Sequence, residues 1–253
     1  MIDISKLVVL YEDNHLIAVN KPAGWLVQGD ETGDMPLTEL VKAWIKVRYE
    51  KPGDVFLGVI HRLDRPVSGV TLFARTSKGL SRMNELFRTR DVRKTYLAVT
   101  RNRPPEVAGT LVHYLSKDSK KNVAHAYASL SGRAKKENAK KASLDYRMVG
   151  QIDQTVLLSL SLHTGRPHQI RAQLSQAGCP ILGDAKYQSD FTFSDGSIAL
   201  HAWRLEFEHP IKQTQICITA PLPDTPWWNP FKPIVEDGEE DIMMGPVDPD
   251  ELR

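Results

Sequence analysis

One carboxylate stands among three basic side chains in the segment 58–69, which reads GVIHRLDRPVSG. Asp64 is surrounded by His61, Arg62 and Arg65, and neighbouring cations favour the ionised form of a carboxylate. An ionised carboxylate can act as a nucleophile. Taken alone, the segment is also compatible with an aspartate that caps a turn and pairs with an arginine, because structural ion pairs are common.

A second polar segment covers residues 162–174 and reads LHTGRPHQIRAQL. The pattern predicts a strand, a Thr-Gly turn and then a helix with Pro167 near its first position. Arg166 and the free amides at that helix start suit an anion such as phosphate, and Arg171 could reach another group about one turn further on. Plain capping and surface solvation explain the same residues equally simply.

The elements around the first segment should hold it in place. Apolar residues at three- and four-residue spacing predict helices over 36–49 and 77–88. Residues 56–60 and 70–74 are predicted to be strands, so 61–68 becomes a loop held between two strands. A loop on such a rigid support is a good position for a reactive side chain.

Strands dominate the rest of the chain. The predicted strands begin with a hairpin made of 7–11 and 16–19 and continue at 95–100, 110–115, 144–149, 155–162, 200–207 and 215–219. Most connections are short and hairpin-like, and few helices interrupt them. This pattern favours an α+β domain with a large, mainly antiparallel sheet over a doubly wound parallel sheet.

Charge is distributed unevenly along the chain. The last twenty residues carry eight acidic groups against one arginine, so the rest of the chain has a formal charge of +9 although the whole chain has only +2. A basic body attracts polyanions such as RNA. Residues 117–141 hold eight Lys or Arg against two acids and are expected to be an exposed basic insertion, either a solvated loop or an arm that contacts RNA. Residues 232–253 are expected to form an acidic, mobile tail beyond a domain of residues 1–231.

The two cysteines, Cys179 and Cys217, form neither a disulfide framework nor a metal-binding pattern, and a reducing cytoplasm fits them. The amino terminus lacks the basic and apolar regions of a secretion signal, and no apolar stretch is long enough to span a membrane. We therefore expect a cytoplasmic protein, with a monomer as the simplest state and no protein partner implied.

Several blocks together resemble the RluA-type pseudouridine synthases. The two strongest are residues 61–69 with Asp64 and residues 164–171 with Arg171. Further blocks occur in the same order at 19–24, 94–96, 180–184 with Tyr187, and 200–210. The resemblance covers most of the chain and implies an RNA-modifying isomerase with the pseudouridine synthase fold, a large mixed sheet flanked by helices and loops.

The resemblance also implies roles for individual residues. Asp64 matches the catalytic carboxylate of the family, which attacks either the base or the sugar. Arg171 matches the arginine that pairs with it, and Tyr96 matches a tyrosine that lies against the target base and assists proton removal. Arg62 matches an arginine that takes the place of the flipped base. The remaining polar residues of the two motifs are expected to bind the RNA substrate, which is transfer or ribosomal RNA: His61, Arg65, Arg166, His168 and Gln169.

The sequence departs from the family pattern at two positions near the first motif. Val67 stands where Thr is more usual, and Gln28 stands where His is frequent, which leaves open which substrate is bound. An S4-type RNA-binding module is not expected, since the predicted catalytic strands begin almost at Met1. No metal and no organic cofactor are implied.

Two other functional classes offer alternatives. A catalytically idle RNA-binding protein with the same fold stays an alternative, because fold does not guarantee activity. A methyltransferase, nuclease or zinc deaminase is disfavoured, because the sequence lacks a G-x-G-x-x-G or P-loop pattern, an H-x-E with P-C-x-x-C, and clustered metal carboxylates.

Overall fold

The computed structural model describes residues 3–239 and residue 242. The chain divides into two compact units, the first formed by Met1–Lys94 and His201–Pro223 and the second by Thr95–Leu200 and Asp224–Arg253. Strands outnumber helices, and their pairing is mixed but mainly antiparallel, which confirms the predicted α+β class. Among the described residues no helix has both the length and the apolar composition needed to cross a membrane.

In chain order the strands are β1 (Val8–Glu12), β2 (Leu16–Lys21), β3 (Gly58–Val59), β4 (Ser68–Ala74), β5 (Val92–Thr100), β6 (Ala108–Asp118), β7 (Val123–Tyr127), β8 (Lys140–Ile152), β9 (Thr155–Leu162), β10 (Leu200–Glu208) and β11 (Gln215–Thr219). The helices are α1 (Leu37–Arg48), α2 (Ser77–Thr89), α3 (Gly132–Lys136), α4 (Gln169–Gln176) and α5 (Lys232–Asp237).

In the first unit, β4 is the central strand. It pairs antiparallel with β2 along one edge, and along the other it pairs with β3 and, in parallel, with β10. β1 extends the sheet beside β2, and β11 pairs with β10. All seven residues of β4 are buried, so this strand is a rigid support for the loop that precedes it.

The two predicted helices of the first unit are confirmed within one or two residues. In α1 the buried residues Leu37, Leu40, Val41 and Ile45 follow the spacing of an amphipathic helix. In α2, Met83 enters the core beside Leu72 of β4 and Leu205 of β10. The hydroxyl of Thr76 caps the start of α2 by accepting from the amide of Gly79 at 3.1 Å.

The second unit contains an antiparallel sheet in the order β5, β9, β8, β6, β7. Residues 117–141, here called the basic arm, were expected to form an exposed insertion. They comprise the end of β6, all of β7, α3 and the first residues of β8, so the arm contains strand and helix as well as loop. Leu115, Ala124 and Ala142 pack with Ala172 of α4, which seats the hairpin on that helix.

Part of the predicted acidic tail is helical. Residues 232–237 form α5, whose Val235 is buried, and Ile234 lies against Gly150 of β8. The carbonyl of Ile242 accepts a hydrogen bond from Ser159 at 3.1 Å. Residues 240–241 and 243–253 lie outside the described residues, so the mobility of the tail stays a prediction.

Gly69 permits the close approach of β4 to β10. Its φ is +116°, and a Cβ at this position would overlap the backbone of Ala202, its partner in the parallel pairing. Only glycine combines this backbone conformation with so small a distance between strands. The pairing of β4, the strand that follows Asp64, with β10 therefore depends on the absence of a side chain at residue 69.

We expect Gly69→Ala to lower the free energy of unfolding by more than about 3 kcal/mol, because backbone strain and steric overlap act together. The matched control is Gly24→Ala, whose φ is +86° but whose Cβ would meet nothing within 4 Å. It should cost only about 1–2 kcal/mol, the usual penalty of left-handed backbone. Urea unfolding measures both values, and equal losses would contradict the packing argument.

Candidate active site

Asp64 lies in a loop of the first unit that leads directly into β4. The amide of Val67 donates to the carbonyl of Asp64 at 3.1 Å and closes a turn over Arg65 and Pro66. Val67 is buried, whereas Asp64 is half-buried. The apolar side chain of Val67 therefore packs in the core beneath the turn.

Lys21, the last residue of β2, lies under this loop. Its side chain is fully buried, and its ammonium group donates to the carbonyls of Pro22 at 2.9 Å, Trp25 at 2.8 Å and Arg65 at 3.1 Å. The amide of Gly24 donates to the same Arg65 carbonyl at 2.8 Å. The ammonium group of Lys21 and the amide of Gly24 thus hold the carbonyl of Arg65, the residue after Asp64, against the turn after β2.

The electrostatic setting of Lys21 is shared with Asp64. Burial lowers the pKa of Lys21 to about 7, the negative charge of Asp64 opposes this shift, and the positive charge of Arg65 adds to it. Lys21 is therefore an anchor for the backbone and, in its protonated form, a positive charge beside the loop of Asp64.

The far end of the loop is held by Ser68. Its hydroxyl lies 2.8 Å from Nδ1 of His201 in β10, and Nε2 of that ring lies 3.3 Å from the carbonyl of Ala220. Burial lowers the pKa of His201 to about 4, so the ring is neutral near pH 7. Since a carbonyl only accepts, Nε2 carries the proton and Nδ1 accepts from Ser68.

His61 makes its contacts within the same unit. Nε2 accepts from the amide of Leu72 at 3.0 Å, and the ring stacks on Phe87 at 5.2 Å between centroids. Burial, with help from the charge of Lys94, lowers the pKa of His61 to about 4. His61 thus ties the start of the loop to β4 as a neutral ring, and its contact with substrate stays a prediction.

The two arginines beside Asp64 differ in their surroundings. Arg65 donates to the carbonyl of Gly24 at 3.0 Å and pairs with Asp34 at 2.6 Å. Arg62 is exposed, and its one described hydrogen bond is a long contact of 3.5 Å to Gln28, the second residue that departs from the family pattern. Arg62 is therefore the more weakly held of the two.

The second motif lies in the second unit and starts its helix later than the sequence indicated. Pro167 was expected near the first helical position, but α4 begins at Gln169, after His168 in left-handed backbone with φ +52°. Arg166 lies in the turn before the helix, where its carbonyl accepts from the amide of Gln169 at 3.2 Å, and anion binding by Arg166 stays a prediction. Arg166 itself is exposed.

Gln169 closes the loop that carries Arg166. Its side-chain oxygen accepts from the hydroxyl of Thr164 at 2.7 Å and from the amide of Arg166 at 3.0 Å. Its side-chain nitrogen donates to the carbonyl of Ser143 in β8 at 3.1 Å. Gln169 is buried and engaged at both ends, so its contacts support the loop, and binding of substrate by Gln169 stays a prediction.

Arg171 is buried on α4 and pairs with a residue that sequence reasoning did not assign to the site. Nε and Nη2 donate to the two carboxylate oxygens of Asp184 at 2.7 and 2.8 Å. The guanidinium also lies 4.9 Å from the ring centroid of Tyr187. Asp184 and Tyr187 belong to the block 180–187, which was noted only as a resemblance.

His168 and Tyr187 join α4 to the basic arm. Nδ1 of His168 lies 2.7 Å from the hydroxyl of Tyr187, which accepts from the amide of Ala124 in β7 at 2.7 Å.

Tyr96 lies on β5 opposite Leu160 of β9 and is half-buried. Among the described residues there is no group of three or more His, Cys, Asp or Glu suited to a metal ion.

The predicted site residues thus fall into two groups. The first unit gathers Asp64 with His61, Arg62 and Arg65, and the second contains Tyr96, Arg166, His168, Gln169 and Arg171. The pairing of Asp64 with Arg171 joins residues of different units and stays a prediction. Sequence reasoning did not assign Lys21 and Asp184 to the site; both stood only within the blocks 19–24 and 180–184 of the family resemblance.

Comparison with known proteins identifies the family. Residues 15–176 match the RNA pseudouridylate synthase family, and the chain therefore belongs to it. A human protein, RNA Pseudouridylate Synthase Domain Containing 4, has a solved structure that is similar with a TM-score of 0.70 at 26% identity, covering 86% of this chain and 89% of that one.

Curated relatives act on two kinds of RNA according to their names. The chain is 30% identical over 228 residues to ribosomal large subunit pseudouridine synthase C of Buchnera aphidicola subsp. Baizongia pistaciae. The aligned region covers 85% of this chain and 67% of the relative. It is 34% identical over 239 residues to tRNA pseudouridine synthase C of Pasteurella multocida, covering 87% and 93%. The chain spans about two thirds of the length of several curated relatives.

The burial of Lys21 predicts a pH dependence of stability. Its pKa is about 7 in the folded protein and near 10.5 in the unfolded chain, so between these values the unfolded state binds the additional proton. The free energy of unfolding should then rise with pH relative to Lys21→Met, by up to about 1 kcal/mol per pH unit, and show no such difference in slope below pH 6. Urea unfolding of both proteins at pH 5.5, 8 and 9.5 measures this, and parallel curves throughout would contradict it.

Proposed function

We propose that this chain converts uridine to pseudouridine in structured RNA, with the carboxylate of Asp64 as the nucleophile. Family membership supports the reaction class. The observation that carries the choice of Asp64 is the anchoring of its loop, with the Arg65 carbonyl held by Lys21 and Gly24 and Ser68 held by His201. A nucleophile needs this kind of fixed backbone, because misplacement by 1 Å costs a large part of the rate.

The reaction itself sets what the residues must do. The bond between N1 of uracil and carbon 1′ of the ribose breaks, and a bond from carbon 5 to carbon 1′ forms. The proton of carbon 5 is released to water, and N1 takes up a proton from water. Atoms and oxidation state balance without a co-substrate. The proposed role of Arg171 is to keep Asp64 ionised and oriented, and that of Tyr96 is to lie against the base and assist removal of the proton.

Access to the uridine requires that the nucleotide leave its stack, at a cost of a few kcal/mol. Arg62 precedes Asp64 by two residues and is exposed. A planar guanidinium can stack and donate hydrogen bonds at once, so Arg62 is suited to occupy the gap left by the base. The substrate is transfer or ribosomal RNA, the two kinds named among the relatives.

The basic arm offers a surface for the RNA backbone. Both of its acids are already hydrogen-bonded. Asp118 accepts from the amides of Lys120 and Lys121, and Glu137 accepts from Arg133 and Tyr127 of the arm and from Ser116, the residue before the arm. These hydrogen bonds, led by that from Ser116, lower the pKa of Glu137 to about 2. Seven exposed lysines form no ion pair within the described part of the chain: Lys117, Lys120, Lys121, Lys135, Lys136, Lys140 and Lys141.

The nucleophile is tested with Asp64→Asn, which removes the charge but keeps the size of the side chain. The substrate is bulk RNA from a strain that lacks the gene, labelled with tritium at carbon 5 of its uracils. We expect tritium release to fall by at least about 10⁴-fold, since loss of a nucleophile removes most of the catalysis. RNA affinity, measured by filter binding, should stay within about threefold.

The matched control is Asp54→Asn, a change of the same chemistry in an exposed loop of the same unit, which should release tritium at the wild-type rate. Tritium release by Asp64→Asn at more than a tenth of the wild-type rate would exclude Asp64 as the nucleophile. RNA binding by the wild type without any release would instead support the idle RNA-binding alternative.

The arm is tested by changing Lys135, Lys136, Lys140 and Lys141 together to Gln. If these lysines lie on phosphates, fewer counterions are released on binding, and the slope of log affinity against log salt should become shallower by about 2 to 3. A control quartet of exposed lysines in the first unit, changed in the same way, should leave the slope unchanged: Lys6, Lys46, Lys51 and Lys78. Equal slopes for the two quartets would show that these four arm lysines do not contact phosphates.

A further inference from the structure

The partner of Arg171 is itself held in an unusually defined position. Asp184 and Arg171 are both buried, with side chains 1% and 6% exposed. The carboxylate contacts Nε and Nη2 in a side-on, two-bond arrangement, which fixes the plane of the guanidinium as well as its position. Single hydrogen bonds to carbonyls would satisfy a buried arginine without fixing its plane. The two bonds to one carboxylate fix the orientation of the guanidinium as well.

The backbone around Asp184 is closed by its own hydrogen bonds. Its carbonyl accepts from the amides of Tyr187 at 2.9 Å and Ser189 at 3.1 Å, and its amide donates to Ile181 at 3.1 Å. The residue before it, Gly183, has φ +90°. These contacts give the carboxylate little freedom to move.

Aromatic rings pack behind this turn. A Cβ on Gly183 would lie 2.6 Å from the ring of Phe193, so the ring sits directly on the glycine. Phe193 in turn stacks on Trp227, with centroids 3.6 Å apart and planes 12° from parallel. The segment that begins at residue 224 therefore supports the turn that holds Asp184, within the same unit.

We propose that Asp184 is a positioning residue for the reaction, acting through Arg171. Asp184 engages the Nε and Nη2 edge of the guanidinium, and the edge formed by Nη1 and Nη2 is the one that a second carboxylate uses in an end-on pairing. Held in this way, Arg171 directs that second edge toward one place only. The proposal rests on the proposed function, in which the second carboxylate is Asp64.

Tyr187 extends the same arrangement. Its ring lies against the guanidinium, and its hydroxyl is bound to His168 and to the amide of Ala124 in the basic arm. The carboxylate of Asp184 thus lies in the plane of the guanidinium, and the ring of Tyr187 lies against its face. The carboxylate and the ring both belong to residues 184–187, and Ala185–Tyr187 form a 3₁₀ turn.

The test compares Asp184→Asn, Asp184→Glu and Arg171→Met by single-turnover release of tritium from the bulk labelled RNA. Asp184→Glu keeps the charge balance of the buried pair but moves the carboxylate by one methylene. We expect the rate per folded molecule to fall at least tenfold for Asp184→Glu and more for Asp184→Asn, with RNA affinity within threefold of wild type. Asp190→Asn, in the same loop but exposed and paired with Arg101, is the matched control and should keep the wild-type rate.

A purely structural role predicts a different pattern. Loss of folding alone would lower the melting temperature and the amount of active enzyme but leave the rate per folded molecule unchanged. In an Arg171→Met background, adding Asp184→Asn should lower the rate by less than twofold, because the group on which Asp184 acts is already absent. This double variant also removes both buried charges together, so neither is left unpaired.

The outcomes separate the inference from the function. A wild-type rate for Asp184→Glu, or independent losses in the double variant, would overturn the role of Asp184 while leaving Arg171 in place. A wild-type rate for Arg171→Met would instead remove the proposed function of Arg171. A loss of tenfold or more in Asp184→Glu and in Asp184→Asn, together with a less than twofold effect of Asp184→Asn in the Arg171→Met background, supports the proposal.

Discussion

The buried ammonium group of Lys21 is the interaction on which the candidate site depends most. A cation removed from water is costly unless acceptors surround it, and here three backbone carbonyls do so. Two of them belong to the turn after β2, and the third belongs to Arg65, the neighbour of Asp64. The requirement to satisfy one charge therefore fixes the distance between two loops that are more than forty residues apart in sequence.

The same principle appears in the second unit. Arg171 is buried, and its cost of desolvation is offset by the carboxylate of Asp184 and by the face of Tyr187. Buried ion pairs contribute little net stability, and their best-attested benefit is to specify one arrangement among several. In the first unit the buried cation Lys21 holds the backbone beside Asp64. In the second unit Asp184 and Tyr187 hold the buried cation Arg171. Both cations lie in blocks that resemble the family.

Local patterns predicted the elements but not these long-range partners. The spacing of apolar residues predicted α1 and α2 almost to the residue, because each buries one face and carries its own cap or end signals. The prediction for α4 was wrong at its start because His168 adopts left-handed backbone, which no residue pattern required. The strands of the basic arm were not predicted, since many lysines and small residues conceal the alternation of a half-buried hairpin.

The candidate site could be predicted only as far as the motifs reach. Asp64 and Arg171 could be named because the chemistry of a carboxylate and a guanidinium is visible in a sequence and the blocks resemble a family. Lys21 and Asp184 could not, since their roles follow from burial and from contacts 13 to 44 residues away. In a linear sequence each reads as an ordinary charged residue near a turn.

The central claim is that this chain forms pseudouridine in cellular RNA through Asp64. The most direct measurement is a map of pseudouridine at single-nucleotide resolution across transfer and ribosomal RNA, made in a strain without the gene and in the same strain carrying either the wild type or Asp64→Asn. The account predicts that at least one pseudouridine disappears without the gene, returns with the wild type and stays absent with Asp64→Asn. Identical maps in all strains, or a modification restored by Asp64→Asn, would contradict it.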